Sequence, residues 1–215
     1  MKKAKNKASY FIFDFSRITG FPVLWFYYRA KIRYISKLAK KQKRKLKGSF
    51  LIVCNHTQYT DFLKLFLIFW YRRVHIFTLS KAFVTPLGWW WFKQMHSIDV
   101  KDYTIDYATF KGVKELVEHK KVIAIFPEGH IDGSLNDLKD GSAFIASHFD
   151  IPIVPLYCEK KTSFLKRMYV SIGEIINPKD VVKDAKDRAQ IKALTKVIAT
   201  KLKELKENTI KMRGK

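Results

Sequence analysis

The chain has 215 residues, with 42 Lys and Arg against 19 Asp and Glu, a formal net charge of +23 and a pI near 9.9. This length suits one domain with a real core, and the charge predicts an anionic partner: nucleic acid, acidic lipid or acidic protein. Two cysteines, Cys54 and Cys158, argue against a disulfide framework and favour a cytoplasmic location. The sequence contains no C-x-x-C or H-E-x-x-H motif, so we predict no metal and no other cofactor.

Residues 1–47 form a basic segment around an apolar, aromatic stretch at 10–28. The segment holds fifteen Lys and Arg and a single acid. The stretch is interrupted at four positions, Asp14, Arg17, Gly20 and Pro22. Because a transmembrane helix needs about 20 apolar residues with few charges, we predict a membrane-interface helix over 10–40, single or broken into a pair near Pro22. It would be monotopic or peripheral on the cytoplasmic face of an anionic membrane. A helix docked on the domain away from any membrane is the alternative.

Residues 48–215 alternate apolar runs of strand length with stretches of helical period, a pattern typical of an α/β domain. The predicted strands are 50–54, 74–79, 97–100, 121–126, 152–158 and 167–173. The predicted helices are 61–71, 104–119, 140–149 and 185–207. The expected architecture is a central mixed, mostly parallel sheet flanked by helices and preceded by the amino-terminal helix or helix pair.

One histidine and one carboxylate stand five residues apart directly after the first predicted strand, in a segment that reads NHTQYTD. Residues five apart lie on different faces of a straight helix, so His56 and Asp61 can meet only if a turn precedes a helix beginning near Asp61. An imidazole with one nitrogen held by a carboxylate presents the other as a general base for a hydroxyl nucleophile. A solvated His56, with Asp61 favouring the helix dipole, is the alternative.

Three consecutive tryptophans, Trp89, Trp90 and Trp91, follow a Pro-Leu-Gly sequence. Neighbours on a helix point in different directions, so core packing explains one or two of them. At least one is expected to face an acyl chain or the membrane interface.

Five motifs between Ser49 and Val170 resemble, in the same order, those of the 1-acylglycerol-3-phosphate acyltransferase family of glycerolipid acyltransferases. They are N-H-x4-D at 55–61, a lysine and P-x-G-W at Lys81 and 86–89, F-P-E-G at 126–129, an F-K-x-G-A-like stretch at 138–143 and a P-I-V-P-V-like block at 151–156. Each motif is weak alone, and five in sequence are a strong indication.

The resemblance implies direct transfer of an acyl group from a thioester, acyl-CoA or acyl carrier protein, to the sn-2 hydroxyl of the lysophospholipid 1-acylglycerol 3-phosphate. Phosphatidic acid would form without an acyl-enzyme. His56 would be the general base, and Asp61 would fix its tautomer. Asn55 or backbone N–H groups of the following helix would hold the oxyanion. The substrate-binding residues that the resemblance implies are Asn55, Lys81, Lys101, Phe126, Pro127, Glu128, Gly129 and Lys139.

Two departures from the family pattern concern the acceptor. The family follows F-P-E-G with Thr-Arg-Ser, whereas this chain has His130-Ile131-Asp132, and Lys101 stands where the family has an arginine. Lysine cannot form the bidentate fork of a guanidinium. Another acceptor, glycerol 3-phosphate or another lysophospholipid, is therefore the alternative reaction. A basic nucleic-acid- or membrane-binding protein without catalysis is the alternative from another class. Nucleic acid is not predicted as a partner, because the positive charge brackets an apolar segment and does not line a polar groove.

Overall fold

The computed structural model describes residues 10–79, 85–100, 105–131 and 133–214. A seven-stranded sheet lies at the centre. Its strands are β1 (Lys31–Tyr34), β2 (Phe50–Cys54), β3 (Val74–Leu79), β4 (Ile98–Val100), β5 (Val122–Ile125), β6 (Ile153–Cys158) and β7 (Tyr169–Ile172). The helices are α1 (Phe11–Tyr28), α2 (Lys37–Lys45), α3 (Asp61–Ile68), α4 (Pro86–Gln94), α5 (Tyr107–Glu118), α6 (Gly141–His148) and α7 (Arg188–Arg213).

The strand order is β1-β7-β6-β2-β5-β3-β4. Strands β6 and β7 pair antiparallel, and the other neighbours pair parallel. The predicted α/β class with a mixed, mostly parallel sheet is confirmed. The six predicted strands are each present within two residues of their expected ends, because each is an apolar run that the sheet buries.

Strand β2 separates the two layers of helices. Phe50, Ile52 and Cys54 face a core shared with α1 and α3, whereas Leu51 and Val53 face a core shared with α5, α6 and α7. All five residues are buried, as expected of a central parallel strand covered on both faces. The residue that follows such a strand emerges at its carboxyl end between the layers, where open α/β sheets place their ligands.

The amino-terminal segment differs from the predicted helix over 10–40 in two ways. Helix α1 continues through Pro22 without a break, because Phe13 and Tyr28 are buried on the core on either side of the proline and hold both halves in line. The helix ends at Arg29, whose left-handed φ of 46° lets its N–H bond the Trp25 carbonyl. The next residues form β1, the edge strand beside β7.

Two other helices differ from the sequence predictions. Helix α4, which carries the three tryptophans, was not predicted. Helix α7 was expected at 185–207 and is shifted towards the carboxyl end. No helix among the described residues has the length and apolar character needed to cross a bilayer. The boundary between 1–47 and 48–215 remains a prediction.

Candidate active site

His56 and Asp61 meet as their spacing predicts. Strand β2 ends at Cys54, a turn follows, and Asp61 is the first residue of α3. The His56 Nδ1 atom lies 3.0 Å from Asp61 Oδ2. The imidazole keeps 19% of its side-chain surface exposed, whereas the Asp61 side chain has none. One end of the imidazole is therefore anchored and part of the ring is open to a ligand.

The Asp61 carboxylate is surrounded by donors. Oδ2 accepts the backbone N–H groups of Thr57 and Gln58 at 2.5 and 2.8 Å, and Oδ1 lies 2.5 Å from Lys64 Nζ. Burial by itself would raise the pKa of Asp61, but the His56 hydrogen bond and the Lys64 ammonium outweigh it and lower the pKa. An ionised carboxylate only accepts hydrogen bonds, so in a neutral His56 it favours the proton on Nδ1 and leaves Nε2 as the nitrogen that can accept one.

Lys64 is the residue nearest the dyad that sequence reasoning missed. Its side chain has no exposed surface, and its ammonium also donates to the Glu159 carbonyl at 3.1 Å. A signal was present, because this lysine is the only base in the apolar helix α3 and stands three residues after Asp61, on the same face. A charge in such a position requires a buried partner.

The F-P-E-G residues lie beside the histidine because β5 is the parallel neighbour of β2. The Phe126 ring stacks on the imidazole with centroids 4.4 Å apart and planes at 19°. The buried Glu128 accepts the His56 backbone N–H at its Oε1 atom, 2.8 Å away. Gly129 has a φ of 71°, a left-handed conformation that favours glycine. This loop therefore holds the histidine by its ring and its backbone.

Gly133 shows how closely the loop after F-P-E-G approaches the turn after β2. A Cβ atom at this position would lie 2.7 Å from Thr57 Cγ2, and the residue has a φ of 66°. Both constraints require glycine. The two loops that carry the family motifs are therefore in direct contact.

Asn55, predicted to bind substrate or the oxyanion, bonds the backbone of β6 through its side chain. Its side-chain carbonyl accepts the Cys158 N–H at 2.7 Å, and its NH₂ group donates to the Cys158 carbonyl at 3.0 Å. The side chain is fully buried. It pins the end of β2 to the end of β6, next to the histidine.

Gln58 makes a similar pair of bonds that the sequence did not indicate. Its side chain donates to the Lys161 carbonyl at 3.0 Å and accepts the Lys161 N–H at 2.9 Å. These bonds tie the dyad turn to the loop between β6 and β7. In that loop, Phe164 contacts Phe26 of α1.

The other predicted residues are placed as follows. Lys81 and Lys101 lie outside the described residues. The exposed Lys139 donates its backbone N–H to the carbonyl of the buried Pro127 at 2.7 Å, which brings the F-K-x-G-A-like stretch beside F-P-E-G. The Cys54 thiol is buried, and burial raises its pKa, as fits the predicted structural role. Among the described residues no group of three His, Cys, Asp or Glu could hold a metal ion.

The tryptophans take separate positions on α4. The Trp89 side chain lies outside what the structure describes. Trp90 is exposed, and Trp91 donates its indole N–H to Ser16 Oγ of α1 at 3.3 Å. Trp91 lines a cavity of about 350 Å³ between α1, α3 and α4, together with Phe21, Leu63 and Met95. We call this space the apolar cavity.

A carboxylate-held histidine at the carboxyl end of a parallel sheet is an arrangement that can deprotonate a bound group. The family model described as Acyltransferase matches residues 32–159, more than half of the chain. The chain therefore belongs to the Acyltransferase family, and the family resemblance of the motifs is confirmed.

Two known proteins are similar over most of the chain. The 1-acyl-sn-glycerol-3-phosphate acyltransferase of Bacillus subtilis (strain 168) is 23% identical over 174 residues, covering 79% of this chain and 87% of that protein. The crystal structure of the 1-acyl-sn-glycerophosphate (LPA) acyltransferase PlsC from Thermotoga maritima aligns with a TM-score of 0.58 and 16% identity. It covers 90% of this chain and 78% of that one. At this identity the structural likeness supports the fold.

Proposed function

We propose that this acyltransferase moves a fatty acyl group from a thioester donor to the sn-2 hydroxyl of 1-acylglycerol 3-phosphate, giving phosphatidic acid. The observation that carries the proposal is the His56–Asp61 hydrogen bond of 3.0 Å, with the imidazole partly exposed beside the F-P-E-G loop. The name of the Bacillus subtilis relative supports the choice of acceptor. The donor is acyl-CoA or acyl carrier protein.

In the proposed mechanism, the oxygen of the acceptor hydroxyl attacks the thioester carbonyl, and His56 Nε2 takes the proton of that hydroxyl. The imidazolium that forms is stabilised by Asp61, which stays ionised because its pKa is lowered. The thiol leaves with the proton that His56 returns. Phe126 and Glu128 keep the ring in one orientation throughout.

The nearest backbone donors already have partners. The N–H of His56 binds Glu128, and those of Thr57 and Gln58 bind Asp61. The Asn55 amide binds Cys158. We propose that Asn55, Thr57, Gln58 and Glu128 position the dyad, and that the oxyanion is held by other groups.

The acceptor phosphate is proposed to bind near the F-P-E-G loop, with Gly129 allowing close approach and Lys81, Lys101 and Lys139 supplying charge. Ile131, in place of the family arginine, supports a second candidate function. In that reaction the same dyad acylates glycerol 3-phosphate or another lysophospholipid.

The acyl chain is proposed to occupy the apolar cavity. Its wall includes Leu63 and Phe66 of α3, the helix that begins at Asp61, and Trp91 of α4. A volume of about 350 Å³ is within the range of small-molecule sites.

The proposed partner surface is an anionic membrane on the cytoplasmic side, which α1 would meet. The outer face of α1 exposes large apolar side chains that share one side of the helix: Phe11, Phe15, Ile18, Trp25 and Phe26. We call this set the outer stripe. An exposed stripe of this size next to basic segments is typical of a helix that lies in a membrane interface.

The test is acyl transfer by the detergent-solubilised protein from acyl-CoA and from acyl carrier protein to three acceptors: 1-acylglycerol 3-phosphate, glycerol 3-phosphate and lysophosphatidylglycerol. We expect phosphatidic acid from the first acceptor, lost in His56→Ala and retained in His119→Ala, an exposed histidine on α5's carboxyl end. Transfer only to another acceptor would support the second candidate. No transfer from either donor to any acceptor would contradict both.

A further inference from the structure

A second cavity lies at the opposite end of β2 from the active site. It has a volume of about 240 Å³, and its walls include Tyr34, Lys43, Arg44, Phe50, Tyr71 and Arg72. Phe50 is the first residue of β2, whereas His56 follows the last, and a five-residue strand spans roughly 13 Å. We call this space the basic cavity, and it is separate from the dyad.

Lys43 holds its charge in the basic cavity among aromatic rings. Its Nζ lies 4.9 Å from the ring centre of Phe69, 5.5 Å from Tyr71 and 5.7 Å from Tyr34. No carboxylate among the described residues lies within ion-pair distance of it. Burial accordingly lowers the pKa of Lys43. The rings stabilise the ammonium in part, and its N–H groups remain able to bind an anion.

Arg72, Tyr34 and Tyr71 line other parts of the basic cavity with hydrogen-bond donors. The Arg72 guanidinium stacks on Phe50 at 5.4 Å, and its Nη2 atom donates to the Gly48 carbonyl at 2.7 Å. These contacts hold one edge of the Arg72 guanidinium in place. Burial raises the pKa of Tyr34 and of Tyr71, so both hydroxyls stay protonated and able to donate. Cations and neutral donors without an acid in the wall are the chemistry of a phosphate site.

The basic cavity adjoins the surface that α1 presents. Tyr71 follows Trp70, both side chains are 49% exposed, and Trp70 packs on Phe21 of α1 with centroids 4.9 Å apart. Aromatic residues that are half exposed beside an apolar helix occupy the headgroup level of a membrane interface. The contact of Lys43 with Tyr71 and that of Trp70 with Phe21 therefore connect the basic cavity to α1.

We propose that the basic cavity binds the phosphate of an anionic phospholipid from the membrane on which α1 lies. This site is distinct from the acceptor site of the reaction. The proposal rests on the membrane attachment proposed above and is independent of the acyl transfer. Lys43 and Arg44 supply charge, the fixed Arg72 orients the phosphate, and the tyrosine hydroxyls bind its remaining oxygens.

The test is calorimetric titration of the full chain in nonionic detergent with dihexanoyl phosphatidylglycerol below its micellar concentration, so that no membrane docking is needed. Inorganic phosphate and dihexanoyl phosphatidylcholine are titrated in parallel. The variant is Lys43→Gln, and the matched control is Lys41→Gln, an exposed lysine on the same helix. His56→Ala is included because the site should not depend on catalysis, and Tyr71→Phe tests the cavity without removing charge.

We expect saturable binding of the anionic lipid that Lys43→Gln weakens about tenfold and Lys41→Gln less than twofold. Tyr71→Phe should weaken it by a smaller factor, and His56→Ala should leave it unchanged. Equal losses in the two lysine variants would mean general charge attraction and would overturn the proposal. Inorganic phosphate bound as tightly as the lipid would overturn the lipid assignment. Absence of saturable lipid binding would overturn the site, even where acyl transfer is active.

Discussion

Two ion pairs, each between an aspartate and a basic side chain, hold different parts of this molecule and differ in their exposure to water. Asp61 and Lys64, beside the imidazole, lie 2.5 Å apart with no exposed side-chain surface. Asp14 and Arg73 join α1 to the start of β3, also at 2.5 Å, but keep 29% and 33% of their side-chain surface. Because water screens the second pair and not the first, equal distances correspond to unequal energies.

The difference separates two uses of an ion pair. The buried pair keeps the Asp61 carboxylate ionised in an apolar layer, so removal of either partner leaves an uncompensated charge. The exposed pair orients α1 and adds little stability, because the helix is held mainly by buried side chains such as Phe13 and Tyr28. The predictions below test this distinction.

The largest effect is expected from Asp61→Asn. The amide cannot hold the proton on His56 Nδ1 as a carboxylate does, so kcat should fall by about a thousandfold or more. Steady-state kinetics would measure this, with Asp137→Asn, in an exposed loop, as the matched control. A fall of less than tenfold would mean that Asp61 does not orient the base.

Lys64→Met should lower the free energy of unfolding by about 3 kcal/mol, because it leaves Asp61 buried without its cation. Chemical denaturation would measure the loss, with Lys192→Met, an exposed lysine of α7, as control. A loss below 1 kcal/mol would remove the distinction between the two pairs.

His75, a buried imidazole close to the Asp14–Arg73 pair, should dominate the pH dependence of the free energy of unfolding in that region. His75 is fully buried near Arg73, Lys121 and His96, and donates to the His96 carbonyl at 3.0 Å. Burial, opposed by that hydrogen bond, lowers the pKa of His75 to about 4 from 6.5.

Between pH 4 and pH 6.5, His75 is mostly protonated in the unfolded state and mostly neutral in the folded state, so the folded state binds fewer protons. The free energy of unfolding should fall as pH drops from 6.5 towards 4, by about 3 kcal/mol in total. Urea denaturation at several pH values would show this slope in the native chain and a smaller one in His75→Gln. The exposed-site variant His119→Gln should retain the native slope; an equal slope in both variants would argue against His75.

The smallest effect is expected from Asp14→Asn. The pair is about one-third exposed, so its loss should change the free energy of unfolding by no more than about 1 kcal/mol. Denaturation under the conditions used for Lys64→Met allows direct comparison. A loss as large as that of Lys64→Met would show that exposure does not separate the two pairs.

Local patterns in the sequence were sufficient for six of the seven strands and for the dyad. The strand at 50–54 is apolar at every position, and the distance of five residues between His56 and Asp61 admits one simple arrangement, a turn before a helix. Both depend on residues close in the chain. The F-P-E-G motif could be placed beside them because strand ends in a parallel sheet share one edge.

The features that could not be predicted depend on distant partners. Strand β1 contains two basic residues and one aromatic, and it becomes a strand because β7 offers a free edge. The partner of Asn55 is Cys158, 103 residues away. Lys64 was overlooked because its partner, although local, was already assigned to His56. The structural roles of these residues could therefore be assigned only from their tertiary contacts.

The pairing of β1 with β7 also orders events during synthesis. Lys31 leaves the ribosome well before its partner Tyr169, because strands β2 to β6 lie between them in the chain. Strand β1 therefore has no partner strand until β7 has been made, whereas α1 can pack on α3 and β2 before that. The edge of the sheet is thus completed late, and a pairing between strands so distant in the chain forms slowly.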